Sequence, residues 1–414
     1  MPLRELPVRP NLRQLRQQAK DLKRAFNSHD PAAVELMNEC LPAPPAPGEA
    51  KLADAQRAVA RSYGLTGWSR LVTACRLIDA ICHDDRRAVR DLIAANPRLL
   101  HEDARGVPGN WGPPLSYAAN LGRDGIVDLL LDCGATDVQH AFDRACLQGQ
   151  TDTARRLLAA GARLERGLVM GPAETLNGDG LEFLLGLGAA IEDEAGDRRA
   201  PIALVLETYS RRPAGKHRCL SLFEQHGVEL PKTPPMAVHQ GRIDLLEEFV
   251  TEDDGVLSRT FTHEEIFPPE LGCHADTTLA LCGTPLAGGT LLHLCVDYDE
   301  IEIARWLIRQ GADVNARASV DRDGFGGHTP LFGCVVSQPW RTGARRDATF
   351  ARLLLDHGAD PAARASLRKQ LRFVRDETLH EYRDVTPVEW GERFHDPSWV
   401  NRGAMRRIAT PRGS

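Results

Sequence analysis

The stretch GTLLHLCVDYDEIEIARWLIRQGADVNAR (289–317) decides the fold. It contains a helix opening at Thr290, two short helical patterns and a Gly-Ala-Asp-Val-Asn exit. The same frame recurs in three other places, namely 112–135, 140–162 and 328–336 with 350–364. Self-similarity of this kind is typical of repeat proteins, in which each unit buries its apolar face only against its neighbours. The sequence therefore predicts a stacked array of helix pairs.

Small side chains recur at one place in each copy, five and six residues after the helix opening. They are Ala118-Ala119, Ala145-Cys146, Cys295-Val296 and Cys334-Val335. Small residues are expected there because the inner helix must pack closely against the next repeat, and cysteine can replace alanine as a small hydrophobe. Cys146, Cys295, Cys334 and, by a looser match, Cys82 are thus explained without metal or disulfide chemistry. None of the ten cysteines forms a C-x-x-C pair, so we interpret them as buried thiols.

The pattern resembles the ankyrin repeat, with its T-P-L-H-x-A opening and short helix pair. The resemblance implies an all-α ankyrin-repeat solenoid of about eight to nine irregular helix pairs. In this frame, the repeats open near positions 75, 113, 140, 167, 200, 232, 290, 329 and 386. The copies near 167 and 200 are degenerate.

Residues 1–74 lack this frame and are predicted to form a small helical module that caps the array of residues 75–414. PNLRQLRQQAKDLKRAF (10–26) has apolar residues at helical spacing, with Asn11 as its expected cap, and Thr66 is the expected cap of the module's last helix. A proline-rich break lies at 41–50. With PNLRQLRQQAKDL, LADAQRAVARSYGLTGW and TPVEWGERF, the whole chain resembles bacterial ankyrin-repeat proteins with a helical leader, a group without an assigned activity.

Composition excludes several classes of function. A net charge of −6 and a pI near 6.2 argue against a nucleic-acid binder. No apolar run could serve as a signal-peptide core or cross a bilayer, so we expect a cytoplasmic protein without membrane attachment. The motifs of serine hydrolases, phosphate-binding loops and dinucleotide sites do not occur, and HEEIF (263–267) lacks the second histidine of a zinc motif. We therefore expect no metal and no cofactor.

Several units are too long for an ankyrin repeat of about 33 residues. The additions are predicted at 251–289, 317–328, 337–346 and 361–385. Insertions of this kind map to loops, often on the binding side, so we expect them to stand along one edge of the concave surface. DRDGFGG (321–327) forms the tip of one of them, where glycines permit sharp turns and Phe325 provides an apolar contact.

Two functions remain open from the sequence. The first is a scaffold that recognises a protein partner on its concave C-terminal half; its binding candidates are His239, Gln240, Asp297, Tyr298, Phe325, His328, Trp340, Arg383, Trp390 and Arg393. The alternative is a small-molecule binding protein or an enzyme; its acid–base candidates are His380, Glu381, Tyr382 and Asp297.

Four of the polar residues also have plainer interpretations. His293 and His328 can bond to neighbouring turn backbone, and Asp384 can satisfy free amide groups at the start of a helix. Arg393 can pair with an acidic neighbour.

Overall fold

A computed structural model describes residues 4–279 and 281–410 of the chain. The chain is an all-α repeat protein with one small β-hairpin in the described part. Contacts divide it into an N-terminal unit, up to Leu164, and a C-terminal unit, from Glu165.

The N-terminal unit consists of helices and one 3₁₀ turn, Pro97–Leu100. Its helices are α1 (Leu12–Asn27), α2 (Pro31–Cys40), α3 (Leu52–Ser62), α4 (Trp68–Cys82), α5 (Arg86–Ala95), α6 (Pro114–Asn120), α7 (Asp124–Asp132), α8 (Val138–Gln148) and α9 (Thr151–Ala159). Helices α1 to α4 share one apolar core around Leu15, Phe26 and Met37, and α4 also packs on α5 and α6. The pairs α6–α7 and α8–α9 are the repeats predicted at 112–135 and 140–162.

The side chain of Asn11 caps α1, as predicted, by accepting from the amides of Arg13 and Gln14. The prediction for Thr66 is wrong. Gly67 is the N-cap of α4, and no side chain caps that helix. Residues 41–50 are not helical, which agrees with their proline content.

The C-terminal unit contains the longer repeats. Its helices are α10 (Met170–Thr175), α11 (Gly178–Gly186), α12 (Ala200–Glu207), α13 (Pro213–Gln225), α14 (Pro234–Gln240), α15 (Ile243–Glu252), α16 (His263–Ile266), α17 (Leu291–Tyr298), α18 (Ile301–Arg309), α19 (Pro330–Val335), α20 (Gln338–Thr342), α21 (Thr349–Asp356), α22 (Pro387–Arg393) and α23 (Arg402–Ala409). Strands β1 (Ala365–Lys369) and β2 (His380–Val385) pair antiparallel, and 3₁₀ turns lie at Asp254–Leu257, Pro269–Leu271 and Pro397–Trp399. The inner helices α14, α17, α19 and α22 pack on one another in chain order.

Helix N-caps occur at the predicted repeat openings Thr290 and Thr386. His293 accepts the Thr290 amide at Nδ1 (3.0 Å) and donates from Nε2 to the His328 carbonyl (3.1 Å), the structural role expected of it. Thr386 caps α22 in a capping box with Glu389. The interpretation of Asp384 as this cap is therefore wrong. Asp384 belongs to β2 instead.

The inserts contain structure of their own. The insert 251–289 includes α16 and two of the 3₁₀ turns, 337–346 includes α20, and 361–385 forms the hairpin β1–β2. The register pairs Leu367 with Tyr382 and Lys369 with His380, so these four side chains share one face of the hairpin. The alternating burial of β1 shows that this face is the inner one.

A segment of the insert 251–289 covers the inner helices. Within this groove segment (281–286), the Gly283 amide donates to Asp297 Oδ1 on α17 (3.0 Å). Thr284 Oγ1 donates to the Val336 carbonyl after α19 (3.0 Å) and accepts from Trp390 Nε1 on α22 (3.2 Å). A Cβ on Gly283 would lie 2.5 Å from the Val336 oxygen, so only glycine permits this approach.

Replacing Thr284 by valine keeps the shape of the side chain and removes the hydrogen bonds of its hydroxyl group. Buried Trp390 Nε1 then has no acceptor, so we expect the free energy of unfolding to fall by about 1–3 kcal/mol. Urea unfolding of Thr284→Val measures this loss. The matched control is Thr251→Val on the exposed side of α15, with an expected change within about 0.5 kcal/mol. Equal stabilities of the two variants would show that the groove segment is not held by Thr284.

Candidate functional site

A pocket of about 500 Å³ lies in the C-terminal unit. Every residue that lines it belongs to one of three inserts: 251–289, 317–328 or 361–385. We call it the insert pocket. Its apolar walls include Phe261, Phe267, Leu286, Phe325 and Leu367. Its volume falls within the range of about 300–1,000 Å³ that is usual for small-molecule pockets.

The glycine-rich loop 321–327 closes one side of the insert pocket. Gly326 has a φ of 122°, and a Cβ there would lie 2.0 Å from the Ser319 oxygen. Its amide donates to the Ser366 carbonyl of β1 (2.7 Å), so the loop joins the edge of the hairpin. The glycines are needed because two backbones approach each other closely here.

Phe325 is the apolar contact of this loop. It is buried, and the guanidinium groups of Arg368 and Arg383 lie 4.9 Å and 4.2 Å from its ring centroid. Asp321 accepts the Phe325 amide (2.9 Å), and this hydrogen bond holds the pKa of its carboxyl group below the ordinary value. Arg368 also bonds to Asp321 (2.6 Å) and Asp323 (2.9 Å), which fixes the loop to β1.

Lys369 is the buried cation of the insert pocket. Only 5% of the residue is exposed, and its Nζ lies 3.6 Å from Cys282 Sγ, which also lines the pocket. His263 and His328 line the pocket too, and each donates from Nε2 to a carbonyl, of His274 (2.7 Å) and Pro285 (2.9 Å) respectively. The site therefore combines apolar walls with one enclosed ammonium group.

A second polar cluster lies on the hairpin and α22. The rings of His380 and His395 stack at 3.9 Å, and Asp376 accepts from His380 Nε2 (2.9 Å). Tyr382 donates from its hydroxyl to His395 Nδ1 (2.7 Å) and packs edge-on against Trp390. The pKa of His395 is lowered, mainly by burial and to a smaller extent by the neighbouring His380. This arrangement gathers two imidazoles, a phenol and a carboxylate.

A third cluster is a buried ionic network. Arg211 Nη2 lies 2.7 Å from Asp297 Oδ2, and its guanidinium carbon lies 4.3 Å from the Tyr298 ring centroid. Lys216 Nζ lies 3.5 Å from Glu300 Oε1 and 3.7 Å from the same ring. Burial lowers the pKa of Lys216 to about 8. These groups satisfy one another in the interior, and none of the five lines the insert pocket.

His239 completes this network. It accepts from Lys216 at Nδ1 (3.3 Å) and donates from Nε2 to the Ile266 carbonyl (3.0 Å). Burial lowers its pKa well below the ordinary value. His239, Asp297 and Tyr298 were expected to face a partner, but their side chains are buried within the chain.

The structure brings some of the predicted site residues together and separates others. Phe325, His328 and Arg383 lie at or beside the insert pocket, and His380, Tyr382 and Trp390 meet in the hairpin cluster. Glu381 points to the opposite face of the hairpin, and Asp297 belongs to the ionic network. Three other predicted residues belong to neither the pocket nor the network. Gln240 and Trp340 are half-buried, and Arg393 is exposed.

Five residues of the pocket and the two clusters are not among the predicted ones: Lys369, Cys282, Arg211, Lys216 and His395. Only Lys369 had a usable signal, because Ala365, Leu367 and Lys369 alternate with more polar residues as in a half-buried strand.

Residues 287–319 match the family model described as the ankyrin repeat. The chain contains an ankyrin repeat. The match covers α17, α18 and the start of the insert 317–328. No curated protein matches the sequence significantly. An ankyrin repeat supports a general role as a scaffold for protein–protein interactions.

Among the described helices, none is both long and apolar enough to cross a membrane. In the same residues, no three His, Cys, Asp or Glu side chains are grouped so that they could hold a metal ion.

Two buried histidines make the free energy of unfolding depend on pH. His293 lies in the ankyrin repeat, and His328 lines the insert pocket. Burial lowers the pKa of His293 to about 3 and that of His328 to about 4. The unfolded chain takes up protons below pH about 6.5 and the folded chain does not, so stability is lost as the pH falls. Between pH about 7.5 and 5.5 we expect a loss of about 1.4 kcal/mol for each histidine, measured by urea unfolding.

The variant His328→Gln tests the assignment. It should show a smaller loss of stability between these two pH values than the parent protein. The control His357→Gln changes a histidine on the exposed end of α21 and should keep the parent's slope. An unchanged slope in His328→Gln would contradict the assignment.

Proposed function

We propose that the protein is a binding scaffold whose C-terminal half recognises a protein partner, and that the partner docks around the mouth of the insert pocket. The observation that carries the proposal is the construction of this pocket from three separate inserts. Insertions between repeats are often where repeat proteins bind. A helical cap formed by residues 1–74 remains part of the proposal, supported by the common core of α1 to α4.

The groove segment covers inner helices of the C-terminal unit. The groove segment bonds to Asp297, Val336 and Trp390, so three of these helices are covered by the chain itself. A partner that docks on this half therefore has the surface of the inserts available rather than the inner-helix surface that was first expected.

Three exposed apolar side chains lie in the inserts that form the insert pocket, and two of them line it. Val320, Phe373 and Leu379 are 61%, 74% and 55% exposed, the highest values among the large hydrophobic residues of the described chain. Val320 and Leu379 line the pocket, and Phe373 lies with Leu379 in the loop that connects β1 and β2. We call these three residues the apolar rim. Exposed apolar groups that cluster around a cavity mark binding surfaces.

The backbone at Phe373 supports the same interpretation. Its φ is 60°, in the left-handed region, although phenylalanine rarely occurs there. Its amide donates to Glu377 Oε1 (2.6 Å), which helps to fix the turn. A strained and exposed aromatic residue is consistent with a binding function.

A small-molecule binding protein or an acid–base enzyme is the second candidate. The pocket volume favours a small ligand, and the hydrogen bonds of His380 and Tyr382 with Asp376 and His395 favour proton transfer. Glu381 and Asp297 are outside this cluster and are not part of the second candidate.

Phe373→Asp tests the docking surface. Aspartate tolerates a left-handed backbone better than phenylalanine, so the fold should be kept while the apolar contact is lost. The measurement is site-specific photocrosslinking in native cytosol, with the crosslinker placed at position 320 in the parent and in the variant. We expect one crosslinked protein in the parent and at least a tenfold lower yield in the variant, since about 1.4 kcal/mol of lost contact gives that factor.

Leu187→Asp is the matched control. Leu187 is 41% exposed in the same unit, at the end of α11 and outside the pocket lining. Its variant should crosslink as the parent does. Equal yields from Phe373→Asp and the parent would sink the proposed docking surface.

A further inference from the structure

Among the residues that the structure describes, Lys369 is a buried cation without an acidic partner. It is 5% exposed, and its Nζ donates a hydrogen bond to Cys282 Sγ, a weak acceptor. No carboxylate of the described residues lies within 4.0 Å of its Nζ. Burial of an unpaired charge is costly, so an enclosed ammonium group requires an anion.

The other buried cations of the described chain are paired. Arg105 pairs with Glu5 (2.9 Å), Arg211 with Asp297 (2.7 Å) and Lys216 with Glu300 (3.5 Å). Lys369 is the exception among the four buried Lys and Arg residues described. It is also the member of this group that lines the insert pocket. An anion that enters the insert pocket therefore reaches Lys369.

The walls of the insert pocket define the rest of the ligand. Phe261, Phe267, Leu286 and Leu367 offer apolar surface beside the ammonium group. A ligand that fills this space therefore needs an apolar body joined to one negative group.

We propose that the insert pocket binds an apolar monocarboxylate, whose carboxylate pairs with Lys369 Nζ and whose body packs between Phe261 and Leu367. This ligand class goes beyond the docking of a protein on the apolar rim and does not depend on it. The carboxylate would give Lys369 the acidic partner that the other buried cations have within the chain.

The charges around the insert pocket favour one negative charge over two. The other cation that lines it, Arg368, is engaged by Asp321 and Asp323. Asp321 also lines the pocket and would repel a dianion such as a phosphate monoester. One free ammonium group matches one carboxylate.

The test compares a carboxylate with a neutral analogue of the same length. We expect octanoate to bind the protein about 10- to 100-fold more tightly than octanol in isothermal titration calorimetry, because a charge-assisted hydrogen bond is added. Lys369→Met should abolish that preference and leave octanol binding unchanged. Equal affinities for octanoate and octanol in the parent would overturn the proposal.

A stability measurement separates this role from a purely structural one. Without ligand, Lys369→Met removes an unpaired charge, so its melting temperature should equal or exceed that of the parent. The matched variant Lys216→Met leaves Glu300 without its buried lysine and should melt at a lower temperature. If Lys369→Met melts as low as Lys216→Met and still prefers octanoate, Lys369 is structural and the proposal fails.

Three further ligands identify the source of the carboxylate. A short peptide with a C-terminal free leucine should compete with octanoate, while its amidated form should not, if the carboxylate belongs to a polypeptide end. If neither peptide displaces octanoate, the carboxylate belongs to a free acid, and either result supports the ligand class. Equal competition by inorganic phosphate would overturn it. Phe373→Asp should bind octanoate as the parent does, so failure of the rim and failure of the pocket remain distinguishable.

Discussion

Asp297 lies in the interior of the C-terminal unit, and both oxygens of its carboxylate are occupied. Oδ2 accepts a hydrogen bond from Arg211, in the loop before α13, and Oδ1 accepts one from the amide of Gly283. Arg211 in turn donates to the Leu281 carbonyl (3.1 Å), so one buried ion pair holds a loop, an inner helix and the groove segment together. Charges removed from water are stable only when their hydrogen bonds are satisfied in this way. The position of the insert pocket depends on this contact, because Cys282 and Pro285 in its wall belong to the groove segment.

The helical repeats could be predicted from the sequence because their constraints are local. Ala118, Cys146, Cys295 and Cys334 mark the close contacts between inner helices, and all four are buried in the structure. The hairpin β1–β2 was expected only as a long projection, since the five residues of β1 are too few for their alternation to stand out. Thr66 and Asp384 were assigned as caps from residue type alone. In the structure, Gly67 is the N-cap of α4 and Thr386 is the N-cap of α22.

The candidate site was harder to predict because its residues come from different inserts. Phe325 and His328 were recognised within one glycine-rich stretch, yet Lys369 and Cys282 are 87 positions apart and meet only after folding. Asp297 and His239 were assigned to a binding surface on the basis of their helix positions. Their actual partners, Arg211 and Lys216, lie in a degenerate part of the repeat pattern where no motif points to them.

The groove segment also changes how the array is expected to unfold. Repeat arrays contact mainly nearest neighbours, so their ends can fray one unit at a time. Here Thr284 bonds to Trp390 across 106 positions, and Arg211 bonds to Asp297 across 86. Such long-range contacts slow folding, because a large loop must close before they form. They also join the later repeats into one cooperative block, so that opening the last helices requires the loss of a core contact well inside the chain.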